Sequence, residues 1–228
     1  MNFHWQGVKR ILRFVKKTAR TELVLGTQNL NMHWQKEVSN LKGYFDAAYM
    51  DNTFDRHSTI GYMFFYKSSL ISWASKKQHT IALSTTEAEY LAGTEATKEA
   101  IWITSFLKGV GDPVNTTTQL LGDNQGANAL AANPEYHART KHIHGRQRFL
   151  SEIVEKAIIK VKYVPTRDML ADILTKPQPQ EAYERFVNLI GLKTMEGAVN
   201  TRGAGKNQKK AMSDKNTVGR DQRESEKK

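Results

Sequence analysis

Apolar positions along the chain change their period several times, and each change marks an element. Over residues 5–17, Trp5, Val8, Ile11, Leu12 and Val15 recur at helical spacing, while Lys9, Arg10, Arg13 and Lys17 take much of the remaining surface. That pattern predicts a short amphipathic helix, too small to fold alone. Residues 18–40 are polar and irregular. From Leu41 onward, residues 41–49, 60–66 and 70–74 are rich in Ile, Phe, Tyr and Trp and read as strands, with Lys67, Ser68 and Ser69 as a hairpin link between the last two. Residues 84–108 carry the clearest helix, with Leu91, Ala92, Ala96, Ala100, Ile103 and Leu107 on one apolar stripe. Thr85 or Thr86 can cap it, Glu87 and Glu89 suit its positive end, and Gly109, Gly111 and Pro113 end it. Residues 117–122 form a short strand that runs into Asp123, 124–132 read as a helix stopped by Asn133 and Pro134, and 140–156 read as another helix, weakened early by Gly145. Residues 158–164 alternate like a strand up to Pro165. Residues 168–175 read as a short helix and 181–190 as the last one.

The predicted order is three strands, a helix, a strand, two helices, a strand and a helix, which is the order of an α/β mixed sheet with helices on its faces. Beyond Gly191 large apolar residues almost vanish, and residues 192–228 carry a charge of about +5. This stretch reads as a disordered tail. The 228 residues hold 34 Lys and Arg against 23 Asp and Glu, a net charge of +11. Such an excess points to a polyanionic partner, most simply nucleic acid, against the plainer reading of a solvated cationic surface. With no cysteine, disulfides and thiolate metal sites are excluded, in keeping with a cytoplasmic or nuclear setting. No apolar run approaches the roughly 20 residues of a membrane helix, and the basic first helix is unlike a signal peptide.

Four acids stand in positions that need a reason. Asp46 lies inside an apolar strand, where a carboxylate is disfavoured unless it sits on an edge and faces water. Glu89 lies near the start of the long helix, where an ordinary surface acid would complement the dipole. Asp123 stands where a strand meets a helix, the place of an N-cap and also the place where open α/β sheets carry sites. Asp172 lies in a late apolar segment and could be an exposed helix residue. Singly, each has this plainer reading. Together they can converge on one point, and clustered carboxylates repel unless cations neutralise them. An oxygen-only ligand set suits Mg²⁺ or Mn²⁺.

Local words then carry a resemblance. They are Gly43-Tyr44-Phe45-Asp46-Ala47, Asp55-Arg56-His57-Ser58-Thr59-Ile60-Gly61-Tyr62, Ile71-Ser72-Trp73-Ala74-Ser75-Lys76-Lys77-Gln78 and Ala82-Leu83-Ser84-Thr85-Thr86-Glu87-Ala88-Glu89-Tyr90. The series continues with Lys98-Glu99-Ala100-Ile101-Trp102, Asp123-Asn124-Gln125, His137-Ala138-Arg139-Thr140-Lys141-His142-Ile143, Tyr163-Val164-Pro165-Thr166 and Leu170-Ala171-Asp172-Ile173-Leu174-Thr175-Lys176-Pro177. In this order they closely resemble the ribonuclease H domain of copia-type LTR retrotransposons, over residues 41–190. The segment His4 to Phe14 resembles the end of the reverse transcriptase that precedes that domain, whose paired-aspartate polymerase motif is absent. The expected organisation is therefore a reverse transcriptase remnant and linker over 1–40, a ribonuclease H domain over 41–191 and the basic tail over 192–228, with Met1 inside a longer ancestral reading frame.

The resemblance implies a ribonuclease H-like fold, a five-stranded mixed sheet flanked by helices. It also implies hydrolysis of the RNA strand of RNA–DNA hybrids during reverse transcription, with two Mg²⁺ or Mn²⁺ ions about 4 Å apart. Asp46, Glu89, Asp123 and Asp172 match the family's four metal-binding catalytic acids, Asp172 ahead of Asp168. Asp46 would bridge both ions, Glu89 and Asp123 would hold one, and Asp172 the other. Asn124 and Gln125 are candidates for reading the RNA 2′-hydroxyl, and Arg56, Lys76, Lys77, Arg139, Lys141 and His142 for contacting the hybrid. The expected partners are the hybrid and a reverse transcriptase domain. His144 departs from the family's usual acid, and no histidine stands in the Pro165-Thr166-Arg167 link, where cellular relatives often carry one. The competing reading is a catalytically silent remnant that binds nucleic acid.

Overall fold

The computed structural model describes residues 2–25, 41–51, 54–114, 117–132 and 144–194. In chain order the elements are α1 (Asn2–Thr18), β1 (Thr21–Leu23), β2 (Lys42–Ala48), β3 (Thr59–Tyr66), β4 (Ser69–Lys77), α2 (Thr85–Gly109) and β5 (Thr118–Gly122). They continue with α3 (Gln125–Ala132), α4 (His144–Glu155), β6 (Ile159–Tyr163), a 3₁₀ turn (Thr166–Asp168), α5 (Asp172–Thr175), α6 (Gln180–Leu189) and β7 (Leu192–Thr194). Two compact units divide the chain, Met1–Val24 with Leu192–Lys228, and Leu25–Gly191.

In the first unit α1 is the expected amphipathic helix, longer by a few residues. Strand β1 pairs antiparallel with β7, Thr21 opposite Thr194 and Leu23 opposite Leu192. Leu192–Thr194 is thus a strand and not the opening of the tail, and Thr21–Leu23 is not irregular. Three residues are too few for a period to show, so only the partner strand reveals either.

The second unit is built on a five-stranded sheet in the order β4-β3-β2-β5-β6. Strands β2, β3 and β4 run antiparallel, while β5 and β6 lie parallel to β2. The turn between β3 and β4 has only Lys67 and Ser68 at its centre, at φ 48° and 65°. Two left-handed residues give the twist that a two-residue hairpin needs. Helix α2 lies over the centre of the sheet. Its predicted stripe, from Leu91 to Leu107, is buried against Phe45, Ile60, Phe64 and Leu120. Small groups set the spacing: a side chain at Gly93 would meet the Phe45 ring at 3.2 Å, and one at Gly122 would meet it at 2.5 Å. Phe45 fills the space that these two glycines leave, and this fixes β2 against both α2 and β5. The architecture is the expected five-stranded mixed sheet flanked by helices.

Some local expectations need correction. Ser84, not Thr85 or Thr86, caps α2: its backbone is extended and its hydroxyl accepts from the Glu87 N–H, while Glu87 accepts from the Leu83 N–H. The expected helix over 168–175 is split into the 3₁₀ turn and α5. Between them Met169, Leu170 and Ala171 are at most 2% exposed, and burying three consecutive side chains is incompatible with one continuous surface helix. Residues 133–143 lie outside the described residues, and with them Arg139, Lys141 and His142 and the start of the helix expected from residue 140.

Candidate active site

Register places the first and third acids. Parallel pairing of β2 with β5 ends at Tyr44 opposite Leu121. Two residues on, at the carboxyl ends of neighbouring parallel strands, stand Asp46 and Asp123, where open α/β sheets hold their sites. Glu89 comes from the second turn of α2, which lies over the same strand. Asp46, Glu89 and Asp123 each offer a carboxylate oxygen within 4.8 Å of the others.

The plainer readings of these acids fall away. Asp46 is 0% exposed on the central strand, not at an edge. Glu89 is buried rather than a surface acid. Asp123 is not the helix cap: Asn124 is, its Oδ1 accepting from the Ala127 N–H at 3.0 Å. Asp123 is instead held by the Thr166 hydroxyl at 2.8 Å. Asp172, first residue of α5, is also buried and lies outside the three-acid group.

Two residues that sequence reasoning did not single out join Asp172 to Asp46. The Thr175 hydroxyl donates to Asp46 Oδ2. The Lys176 ammonium lies 3.0 Å from Asp46 Oδ1 and 3.0 Å from Asp172 Oδ1. Their one available signal was spacing, since positions three and four beyond Asp172 return to the same side of a helical turn. Asp168, the alternative to Asp172, points to other partners, an ion pair with Arg185 and one with Arg167. These pairs hold its carboxyl below the usual range, the bond from Arg185 foremost.

The electrostatics are those of crowded acids. Burial, then the charges of Asp46 and Asp123, push the Glu89 carboxyl up to about 9, although the Ala47 N–H donates to it. Burial and Asp46 push Asp172 up to about 6. Burial works to lower the Lys176 ammonium, but Asp46 and Asp172 more than reverse this and raise it. Glu89 Oε2 is buried with no hydrogen-bond partner. An orphaned carboxylate oxygen facing two more acids, with no nitrogen or sulfur ligand in the group, fits a hard divalent cation.

The proposed nucleic-acid contacts are dispersed. Asn124 adjoins Asp123 and spends its carbonyl oxygen on the cap, and Gln125, exposed, opens α3. Lys76 pairs with Glu95 at 3.4 Å and Lys77 with Asp55 on the edge strand β4. Exposed Arg56 has a left-handed backbone at φ 55°.

This fold and acid placement can be set beside known proteins. No protein-family profile matches the chain. It is 39% identical over 189 residues to the "Retrovirus-related Pol polyprotein from transposon TNT 1-94" of Nicotiana tabacum, covering 83% of this chain and 14% of that protein. The chain belongs to the retrotransposon Pol family. Within that family its motifs are those of the copia-type ribonuclease H domain. The Pol polyprotein from transposon RE2 of Arabidopsis thaliana is 36% identical over 189 residues, again 83% of this chain and 12% of the relative. The chain thus spans about an eighth of the length of these Pol relatives. Among solved structures, a compost-derived ribonuclease H1, LC11-RNase H1, aligns over 64% of this chain and 97% of its own, with 14% identity and a TM-score of 0.47.

Proposed function

We propose that this chain is a metal-dependent nuclease that hydrolyses the RNA strand of RNA–DNA hybrids within a retrotransposon replication cycle. The observation that carries this reading is the convergence of Asp46, Glu89 and Asp123 within 4.8 Å, with one Glu89 oxygen buried and unsatisfied. A soluble domain gains nothing in stability from such a cluster, since each acid raises the others' cost of ionisation. Asp46, Glu89 and Asp123 would hold one Mg²⁺ or Mn²⁺ ion, and Asp46 with Asp172 a second. When bound, the ions supply an activated water and neutralise charge at the scissile phosphate.

The chain's own part is to hold the ligands in place. Thr166 orients Asp123, Thr175 orients Asp46, and the Ala47 N–H orients Glu89. Asn124, beside Asp123, keeps its side-chain amide free of the capping bond and can donate to a 2′-hydroxyl, the group that separates RNA from DNA. Lys76 and Lys77 sit in exposed ion pairs that solvent screens, so exchange of their partners for phosphates is cheap. A reverse transcriptase domain is the proposed protein partner. Among the described residues no helix is long and apolar enough to cross a membrane.

The test is an end-labelled RNA–DNA hybrid incubated with Mg²⁺ and the whole chain. The RNA strand should be cut by wild type and by Asp168→Asn, with Asp46→Asn and Asp172→Asn slower by orders of magnitude. Binding without cleavage at every Mg²⁺ and Mn²⁺ concentration would leave the reading of a silent nucleic-acid binder.

A further inference from the structure

Lys176 stands at a point where a cation is required. Its ammonium is equidistant, at 3.0 Å, from one oxygen of Asp46 and one of Asp172. The preceding residue, Thr175, donates to the other oxygen of Asp46, so two consecutive side chains occupy both oxygens of the central acid. The backbone holds them there. Helix α5 is a single turn, closed by the Lys176 N–H donating to the Asp172 carbonyl at 2.9 Å, and Gln178 donates to the same carbonyl at 3.1 Å.

The side chain is also able to leave. Lys176 is 39% exposed, whereas Asp46 is 0% exposed, so the ammonium reaches the acids from the solvent side. Among the described residues the other two members of the three-acid group make no such contact with a cation: Glu89 Oε2 is without a partner, and Asp123 is held by a neutral hydroxyl. The two halves of the site are thus charge-balanced differently. Glu89 and Asp123 meet Asp46 with no ammonium of their own. Asp172 meets it with a cation built in.

We propose that Lys176 is a positioning residue that occupies the Asp46–Asp172 cation place, so that a divalent ion enters there only by displacing it, while the Asp46–Glu89–Asp123 place fills first. An ammonium and a divalent ion on the same two oxygens would repel each other across a few ångströms, and the ammonium holds its place through two charge-assisted bonds. The inference rests on the reading of these acids as a metal site, but not on the identity of the substrate.

The experiment counts ions, without nucleic acid. The full chain is titrated with Mn²⁺ by calorimetry, with free Mn²⁺ followed by its paramagnetic resonance signal, in wild type, Lys176→Met and Lys176→Arg. Wild type should bind one ion well and a second weakly. Lys176→Met should bind the second about tenfold more tightly, the size of effect that one adjacent charge has on a carboxylate. Lys176→Arg, which keeps the charge, should stay near wild type. Should Lys176→Met fail to melt cooperatively, Lys176→Gln takes its place with the same expectation.

A second-ion affinity that is unchanged or weaker in the neutral variants overturns the proposal, as does a wild type that binds two equivalent ions. So does the absence of bound ions in every variant. If the affinity shifts as expected but the hybrid is never cut, the Lys176 role stands and the substrate reading falls.

Discussion

Glu89 shows what a single residue's surroundings do to its chemistry. Its carboxyl is raised from an ordinary 4.5 to about 9 by burial and by its acidic neighbours. The sign of the consequence follows. Between these two values the unfolded chain has released the proton and the folded chain still holds it, so stability present below about pH 4.5 is lost as pH rises towards 9. Asp172, raised from 3.8 to about 6, acts in the same sense over a lower window. The melting temperature of the protein in EDTA should therefore fall from about pH 5 to about pH 9. Saturating Mg²⁺ should flatten that fall, because on the proposed reading an ion would bind the deprotonated acids. Scanning calorimetry at several pH values, with and without Mg²⁺, measures both. A metal-free melting temperature that rises over this range would show that the acids are not crowded as described.

At the scale of the elements, β2 is held by close packing on every side. It is the middle strand, it carries Asp46 near its carboxyl end, and its Phe45 fills the space between Gly93 and Gly122. At Gly43 an added Cβ would lie 2.5 Å from the Phe64 ring and 2.6 Å from Leu120. Neither neighbour has room to move in a filled core, so Gly43→Ala should destabilise by about 1–3 kcal/mol, the usual range for overpacking. Denaturant unfolding followed by tryptophan fluorescence would measure this, and a variant as stable as wild type would show the interior to be looser than the geometry implies. The strands and helices of this unit were mostly legible from their periods: the stripe on α2 is buried as its spacing predicts. The late helix was not, because the run from Met169 to Leu174 is apolar without a period, and burial on all sides overrides helical spacing there.

For the whole molecule the governing quantity is charge. A net +11 makes association with a polyanion favourable, and the acids at the site make it locally unfavourable without divalent ions. Hybrid binding should then be steeply salt-dependent. If about six phosphates are contacted, affinity should fall roughly a thousandfold between about 50 and 200 mM salt. Binding isotherms over that range test this, and a flat dependence would remove the basic surface from the account of recognition. At this scale the chain matches 14% of the length of its tobacco relative.

By itself the sequence determined the order of strands and helices, the apolar faces, and the four acids in positions that local structure does not explain. Each of these is written in short-range periods or in single misplaced charges. The tertiary structure decided the rest. Strand register brought Asp46 level with Asp123 and laid α2 over them, whereas Asp172 joined the site through Lys176 and not through the three-acid group. It gave Asp123 to Thr166 and left the cap to Asn124. It also tied Lys76 and Lys77 to acids of their own. Such pairings join residues far apart in the chain, with no period to announce them. They follow only from the packing that brings the elements together.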